Sequence, residues 1–562
     1  MLAPLERQFR RRLALLFAAF AGFVLILVGR LVYWQITPPT PVEVRSLVDE
    51  ESAPFSQSQR GAIRDRSGEV LAVEIATYEI TAAPNWIKNP EDVAKKLAPF
   101  LNQPWEAIYN KISNPKAPYA LLAREVPMEI GLAIEKLQLK SVYVEPKPRR
   151  AYPLGTLASH VLGFVNLDGH AFYGVEQQLD PVLRGRPGVG GKPNVINPLH
   201  FVRPRDGSTV YLTIDRTIQS IAEKELQATI TEHRAEGGSV VIMDPKTGAV
   251  LAMASWPTYN PNNYASASPG RFANPAVSAQ YEPGSVIKAI TMAAGLEEGV
   301  VSPDSTYEDV GSIRIANFTI WNWDHKAHGL TTMTEMMQHS LNVGAVHVAF
   351  MLGPERLYRY LDAFGFARPT GIKLAGEIAG SVRNPKLSNW SQIDLATNSF
   401  GQGMAATPLQ VTTAIAAIAN GGVLLQPYII DRVIDPDGQV EEVQPQPVRR
   451  VISQQVAREV TEMLTKVVSG GVQQAEVRGF RMAGKTGTSQ IPVPGGYDPE
   501  WNITSFAGYG PADDPQFVIL VKVDKPLAGL GSDVAAPAFQ RIAEQLLTYM
   551  QVPPDNVRLV KR

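Results

Sequence analysis

Three short polar motifs in the second half of the chain constrain the fold more than any other sequence feature. They are Ser285-x-x-Lys288, Ser340-Leu341-Asn342 and Lys485-Thr486-Gly487-Thr488. Each motif is common by chance, because Ser-x-Asn also forms turns and helix caps, and Lys-Thr-Gly also ends hairpins. Together they supply a nucleophile, a candidate base and further polar groups. Their combination and their order along the chain, and no single motif, therefore carry the information.

The residues around Ser285 predict the local geometry of the first motif. Pro283-Gly284 ends the preceding element, the residues from Ser285 to Leu296 are mostly helix formers, and Gly299 stands where a helix would end. Lys288 would then share a helix face with Ser285, so that the amine can meet the hydroxyl. A lysine is a base only when it is neutral, and burial and the positive end of a helix both lower its pKa. The alternative is a capping serine beside a solvated lysine.

Composition excludes several classes of function. The 562 residues suffice for two to four domains, and 53 Lys+Arg against 54 Asp+Glu leave no basic excess for a nucleic-acid partner. The absence of cysteine excludes disulfides, thiol catalysis and Cys-ligated zinc. Asp324, His325 and His328 could cluster around a metal, but no His-Glu-x-x-His motif occurs and a polar loop is the better interpretation. We expect no cofactor and no metal.

The N-terminal segment predicts a single membrane anchor. Four arginines, the last at Arg12, precede an apolar run, so residues 1–12 are predicted as a cytoplasmic tail and 13–34 as a transmembrane helix. The rest of the chain would then lie outside the plasma membrane, in the periplasm or its equivalent. A cleaved signal peptide is the alternative, but the run is long and Pro38-Pro39-Thr40-Pro41 occupies the place of a cleavage site.

The remaining chain divides into two predicted domains and a short tail. Residues 42–205 read as a mixed α/β scaffold, and 185–204, rich in Gly and Pro, read as a linker. Residues 206–552 read as an α+β catalytic domain, and 553–562 as a C-terminal tail. The catalytic domain begins with a strand at 210–214, a helix at 217–233 and a hairpin over 238–255, and its last helix spans 535–550.

In this order, the three motifs are the known signature of β-lactamases and penicillin-binding proteins. The chain resembles a class B penicillin-binding protein, a monofunctional peptidoglycan transpeptidase, over nearly its whole length. Further segments that carry the resemblance are Arg60–Gly68, Arg150–Gly163, Gly174–Gly185, Asp244–Gly248, Asn322–Asp324 and Gly401–Gln410. The resemblance implies an antiparallel sheet flanked by helices, an all-helical subdomain, and a preceding dimerisation or pedestal domain behind a membrane anchor.

The resemblance also implies an acyl transfer and assigns its residues. Ser285 would attack the carbonyl between the two terminal D-alanines of a stem peptide, and an amine of a neighbouring stem would resolve the acyl-enzyme into a crosslink. Lys288 would be the general base, Ser340 would pass a proton to the leaving amine, and Asn342 would hold Lys288 and the substrate. The remaining predicted residues bind substrate or stabilise charge: Lys485, Thr486, Gly487 and Thr488, with the backbone amides of Ser285 and Thr488 as the oxyanion hole. β-Lactams would acylate Ser285.

Several alternatives stay open at this point. A β-lactamase needs a base for deacylation, and the one nearby candidate, Glu377, reads better as a structural turn residue. A D,D-carboxypeptidase, a β-lactam-sensing receptor and an elongation-type transpeptidase are the others. Asn342 and the segment 401–410 favour the septal, division type, with a polytopic membrane glycosyltransferase and other division proteins as partners. Leu341 stands where division-type members usually carry serine, and we expect it to line the cleft and affect drug preference.

Overall fold

The computed structural model describes residues 58–187 and 204–560. The predicted cytoplasmic tail, the predicted transmembrane helix at 13–34 and most of the predicted linker lie outside these residues. Over the described ranges, no helix combines the length and apolar character that crossing a membrane requires. Residues 59–185 and the chain from 206 onward form one compact unit. A separate small unit includes Arg186 and Arg205, whose backbones pair as an antiparallel bridge.

The first half of the described chain alternates short strands and helices. Its elements are β1 (Ile63–Arg64), β2 (Val70–Ile75), β3 (Thr77–Ala82), α1 (Pro90–Leu101), α2 (Trp105–Ile112), β4 (Ala120–Pro127), α3 (Met128–Glu135), β5 (Val142–Pro146), β6 (Arg149–Ala151), α4 (Ser159–Leu162), β7 (Phe164–Val165), β8 (Ala171–Phe172), α5 (Gly174–Gln178) and α6 (Asp180–Leu183). Residues 65–68 form a hairpin turn, because β1 and β2 pair antiparallel on either side of it. Strands β4, β3 and β5 form a three-stranded sheet that shares a small apolar core with α1, α2 and α3.

The second half holds the larger set of elements. They are β9 (Thr209–Leu212), α7 (Arg216–Glu232), β10 (Gly237–Met243), β11 (Val250–Trp256), α8 (Pro275–Ser278), α9 (Lys288–Glu297), β12 (Thr306–Asp309), β13 (Ser312–Ile315), β14 (Phe318–Trp321), β15 (Gly329–Thr332), α10 (Met333–His339), α11 (Asn342–Ala363), β16 (Ser381–Val382), α12 (Gln392–Asn398), β17 (Met404–Ala405), α13 (Pro408–Ala419), β18 (Val423–Leu425), β19 (Ile430–Ile434), β20 (Val440–Glu442), β21 (Pro447–Arg450), α14 (Gln454–Gly471), β22 (Ala483–Val493), β23 (Gly496–Gly510), β24 (Phe517–Asp524), α15 (Ala535–Tyr549) and α16 (Asp555–Arg558). The strand, helix and hairpin predicted from 210 to 255 are confirmed within one or two residues.

A five-stranded antiparallel sheet organises the second half. Its strand order is β11-β10-β24-β23-β22, so the strand that carries Lys485 lies at an edge. Every residue of β10 is buried, because α7 packs against this strand together with α13. Helices α9 and α11 pack against each other and form the helical part of the domain. The predicted α+β class is therefore confirmed, with the sheet edge facing the segment that carries Ser285.

A second sheet joins the two halves of the chain. Its order is β20-β19-β9-β1-β2-β6, and β1 pairs parallel to β9 with Ile63 opposite Val210. Strands from 63–151 and from 209–442 therefore share one hydrogen-bonded sheet. The boundary predicted at 205/206 falls just before β9, a strand of this sheet. Buried side chains from both sides of that boundary belong to the same hydrophobic core.

A buried ion network joins three segments of the first half of the chain. The Glu176 carboxylate is fully buried and accepts hydrogen bonds from Arg60 Nε at 2.8 Å and Arg150 Nε at 2.6 Å. Arg60 also pairs with Asp180, and Arg150 also donates to the Gly61 carbonyl. Removing one partner of such a buried network typically costs about 3–5 kcal/mol, because a charge stays buried without compensation. These residues therefore act in folding and lie in the segments Arg60–Gly68, Arg150–Gly163 and Gly174–Gly185.

Candidate active site

Ser285 lies at the start of a helix, as the sequence predicts. Residues Gly284–Ile287 form a 3₁₀ turn that continues directly into α9, and Gly299 follows the helix end with φ +65°. The Ser285 side chain is half-buried, and among the described residues its hydroxyl has no hydrogen-bond partner. The predicted contact between this hydroxyl and Lys288 is therefore not a hydrogen bond here, although both groups belong to the same helical segment. The hydroxyl is left available to a substrate.

Lys288 binds the second motif. Its buried Nζ donates to the Ser340 carbonyl at 2.6 Å, to Asn342 Oδ1 at 2.8 Å and to Ser340 Oγ at 3.3 Å. Burial, and secondarily the nearby charge of Lys485, hold the pKa of Lys288 well below its ordinary value. A lysine with a lowered pKa can be neutral near physiological pH, which is what a general base requires.

Ser340 occupies the junction between two helices. It ends α10 in the left-handed conformation, with φ +57°, and α11 begins two residues later at Asn342. A non-glycine residue in this region costs of order 1–2 kcal/mol. The conformation places Ser340 Oγ between two amines, at 2.8 Å from Lys485 Nζ and 3.3 Å from Lys288 Nζ.

The third motif lies on the edge strand β22. Lys485 is almost fully buried, and burial lowers its pKa to about 7. Gly487 has no room for a side chain, because a Cβ there would come within 2.4 Å of Ser505 Oγ and 2.7 Å of the Pro283 carbonyl. This close approach brings the edge strand against the segment that carries Ser285. The structure thus assembles Ser285, Lys288, Ser340, Asn342 and Lys485 into one cleft, with Thr486, Gly487 and Thr488 along its wall.

Thr488 has a partner that the sequence did not predict. Its Oγ1 accepts a hydrogen bond from the backbone amide of Gly531, at 3.1 Å. A hydroxyl that accepts from an amide keeps its own hydrogen free to donate. The contact therefore orients Thr488 as a donor toward an acceptor in the cleft.

Two further residues near Ser285 were not predicted as site residues. The Gly401 carbonyl accepts a hydrogen bond from the Gly284 amide at 3.1 Å, and a Cβ on Gly401 would lie 2.2 Å from the Gly284 carbonyl. Glu282, three residues before Ser285, is 7% exposed and contacts two other segments. The repeated glycines of 401–403 signalled a close backbone approach, but no sequence pattern indicated which segment they approach.

The expectation for Leu341 is wrong. Leu341 is fully buried and belongs to the main hydrophobic core, so it does not line the cleft. The sharp turn at Ser340 directs residue 341 inward while Ser340 and Asn342 face the two lysines. An apolar residue at 341 is therefore explained by packing.

The polar loop before the second motif supports it structurally. Asn342 Nδ2 donates to the Trp321 carbonyl at 2.8 Å, and Trp323 Nε1 donates to the His339 carbonyl at 2.9 Å. Asp324 pairs with His328 at 3.0 Å. In the part of the chain that the structure describes, no three His, Asp or Glu side chains are grouped so that they could hold a metal ion.

Glu377 has the structural role that the sequence favoured. Its carboxylate accepts hydrogen bonds from the backbone amides of Thr370 and Gly371 and from the Thr370 hydroxyl, at 2.5–3.1 Å. These contacts close a turn. The structure therefore gives no support to Glu377 as the base that would activate water in a β-lactamase.

Comparisons with known proteins agree with this geometry. Residues 238–544 match the family model of the penicillin binding protein transpeptidase domain, and residues 55–171 match that of the penicillin-binding protein dimerisation domain. Stage V sporulation protein D of Bacillus subtilis is 35% identical over 98% of this chain and 88% of its own length. Peptidoglycan D,D-transpeptidase FtsI of Escherichia coli is 32% identical over 96% of this chain and 92% of its own length.

A solved structure extends the comparison to the fold. The crystal structure of penicillin binding protein 3 from Mycobacterium tuberculosis, complexed with aztreonam, superposes with a TM-score of 0.71 at 33% identity and covers 89% of this chain and 98% of that one. The same relative has also been solved with ampicillin. The chain therefore belongs to the class B penicillin-binding proteins, the peptidoglycan D,D-transpeptidases in which a dimerisation domain precedes the transpeptidase domain.

Proposed function

We propose that this chain crosslinks peptidoglycan stem peptides through an acyl-enzyme on Ser285, in a catalytic domain spanning about residues 206–552. The observation that carries the proposal is the shared contact of Ser340 Oγ with Lys288 and Lys485, at 3.3 and 2.8 Å, beside the unbonded hydroxyl of Ser285. A nucleophile, a depressed-pKa amine and a proton-relaying hydroxyl are what serine acyl transfer without histidine requires.

Acylation follows from these positions. Ser285 Oγ attacks the carbonyl of the penultimate D-alanine, and its proton passes to neutral Lys288 Nζ. The peptide bond to the terminal D-alanine breaks, and Ser340 Oγ relays the proton from Lys288 to the leaving amine. Lys485 and Thr486, whose side chains lie 3.3 Å apart, and the oriented Thr488 hydroxyl bind the substrate's terminal carboxylate. The backbone amides of Ser285 and Thr488 stabilise the oxyanion.

Deacylation reverses the proton path. An amine of a second stem peptide attacks the ester carbonyl, its proton passes through Ser340 to Lys288, and the ester bond to Ser285 Oγ breaks. The new peptide bond is the crosslink, and Ser285 regains its proton. Asn342, which accepts from Lys288 and donates to the Trp321 carbonyl, keeps the amine aligned in both steps.

Penicillin labelling tests the proposal. A β-lactam presents a strained amide in place of the D-alanyl-D-alanine bond, so one molecule should bind covalently per protein molecule. We expect intact-mass analysis to show one adduct and peptide mapping to place it on Ser285. An adduct on another residue, or none at saturating drug, would reject the assignment.

We further propose a septal role for the enzyme, anchored by residues 13–34 with the catalytic domain outside the plasma membrane. Asn342 in the second motif and the segment 401–410 support the division type, and a polytopic membrane glycosyltransferase would supply the glycan strands. Depletion in the native cell should produce filaments. Rounded cells would instead indicate an elongation enzyme.

A further inference from the structure

Glu282 joins three segments around the nucleophile. Its Oε1 accepts a hydrogen bond from the Gly403 amide at 3.0 Å, and both carboxylate oxygens lie 3.3 Å from the Tyr497 hydroxyl. The neighbouring Tyr281 pairs through its backbone with Ala406. Glu282 therefore belongs to the segment that carries Ser285, and it contacts both the 401–406 segment and the hairpin formed by β22 and β23.

Tyr497 lies at the tip of that hairpin, which we define as residues 491–501. Strand β22 carries Thr486–Thr488 and then continues beyond the sheet into this tip, whose residues are mostly exposed. The pairing register shifts between Gln490 and Pro492, so the regular ladder of the substrate-facing part is interrupted before the tip. From the tip, beyond this interruption, the Tyr497 hydroxyl donates to the carboxylate of Glu282, three residues before Ser285.

We propose that Glu282 is a positioning residue that latches the hairpin tip onto the nucleophile segment and so fixes Ser285 relative to the substrate-binding strand β22. This inference rests on the proposed function in that Ser285 is taken as the nucleophile. A carboxylate that accepts from an N–H and an O–H forms charge-assisted bonds, which are stronger than neutral ones. When the carboxylate takes up a proton, the bond from Tyr497 weakens and the tip is released.

The surroundings of Glu282 make this latch sensitive to pH. Burial raises the pKa of Glu282 to about 7, and the bonds from Gly403 and Tyr497 oppose that rise. In the described structure, Tyr497 is the titratable side chain bonded to Glu282 from another element, and burial raises its pKa to about 12, so it stays neutral. The buried phenol of Tyr281, on the nucleophile segment itself, also stays neutral. The latch is therefore closed above pH 7 and opens as the pH falls through 7.

A double-mutant cycle tests the coupling between the two side chains. Glu282→Gln keeps an acceptor for the Gly403 amide but loses the charge, and Tyr497→Phe loses only the hydroxyl. At pH 8, each single variant should be acylated by fluorescent penicillin about threefold to tenfold more slowly, as expected for loss of one charge-assisted hydrogen bond. The double variant should be no slower than the slower single one. Rates that multiply in the double variant, or singles equal to the wild type, would reject the latch.

A pH profile separates the latch from a general structural effect. Between pH 8 and pH 6 the wild type should lose a component of its acylation rate that Glu282→Gln lacks, whereas any contribution of the two lysines is common to both proteins. Identical profile shapes would contradict the proposal. Acylation rate constants come from time courses of labelling, and active-site titration gives the concentration of folded, acylatable protein to which each time course is normalised, so inactive protein in a variant sample does not obscure the result.

Tyr549→Phe provides the matched control. The Tyr549 hydroxyl also contacts a carboxylate, at 3.1 and 3.3 Å from Asp215, but at the end of α15 and outside the cleft. This variant should be acylated at the wild-type rate. An adduct that maps to a residue other than Ser285 would contradict the proposed function. An adduct on Ser285 that forms at the wild-type rate in Glu282→Gln and Tyr497→Phe would contradict only the latch.

Discussion

Ser285→Ala should abolish covalent labelling by penicillin while the protein stays folded. The hydroxyl stands at the start of the helix that carries Lys288, and no described residue hydrogen-bonds to it. Its removal therefore breaks no hydrogen bond among the described residues, and we expect a change in the free energy of unfolding of about 0.5 kcal/mol. In-gel fluorescence and thermal unfolding of the same sample measure both outcomes.

Ser489→Ala is the control for this change. Ser489 is a buried serine close to Gly284, and it is the one serine on the strand that carries Lys485. This variant should label fully. Residual labelling of Ser285→Ala, or loss of labelling in Ser489→Ala alone, would move the nucleophile to another position.

The sequence identified the chemistry because its groups are carried by local patterns. The turn at Pro283-Gly284 and the helix after Ser285 are short-range features, and the structure reproduces both. Assembly of the three motifs in one cleft was implied by the resemblance to penicillin-binding proteins and not by any local pattern. The left-handed turn at Ser340 was not foreseen, and it explains why Leu341 is in the core and not in the cleft.

The supporting contacts could not be predicted because they join residues far apart in the chain. Glu282 meets Gly403 across 121 positions and Tyr497 across 215, and Thr488 meets Gly531 across 43. No local periodicity encodes such pairs. The sheet that unites β1 with β9 is a similar case: each strand is short, and only the tertiary pairing shows that the scaffold and the catalytic half share it.

Lys288→Met should slow acylation by penicillin by about 10³-fold, the loss expected when a positioned general base is removed. Methionine has a similar length and fills the same buried space, but it cannot accept a proton from Ser285. The variant also removes the hydrogen bonds that Lys288 donates to the Ser340 carbonyl and to Asn342 Oδ1. Ser340 Oγ then has one amine partner left, Lys485. Stopped-flow or gel-based acylation rates measure the effect.

The direction of the pH dependence follows from the same contacts. Burial lowers the pKa of Lys288, so the neutral base is present above that lowered value and is lost as the pH falls through it. The wild-type acylation rate should therefore fall on the acid side, and Lys288→Met should lose the part of that fall that comes from protonation of Lys288, while the parts that come from Lys485 and Glu282 remain. A variant that keeps both the rate and the acid limb would exclude Lys288 as the base.

Lys522→Met separates the chemistry from the removal of a buried lysine. Lys522 is 6% exposed on β24, pairs with Asp524 and has no contact with the two-lysine network around Ser340. Its replacement should lower the midpoint of thermal unfolding, since Asp524 loses its partner, yet it should leave acylation within a few-fold of the wild type. If both lysine variants lose acylation equally, the effect comes from packing in the domain, whereas loss in Lys288→Met alone places the proton acceptor at the first motif.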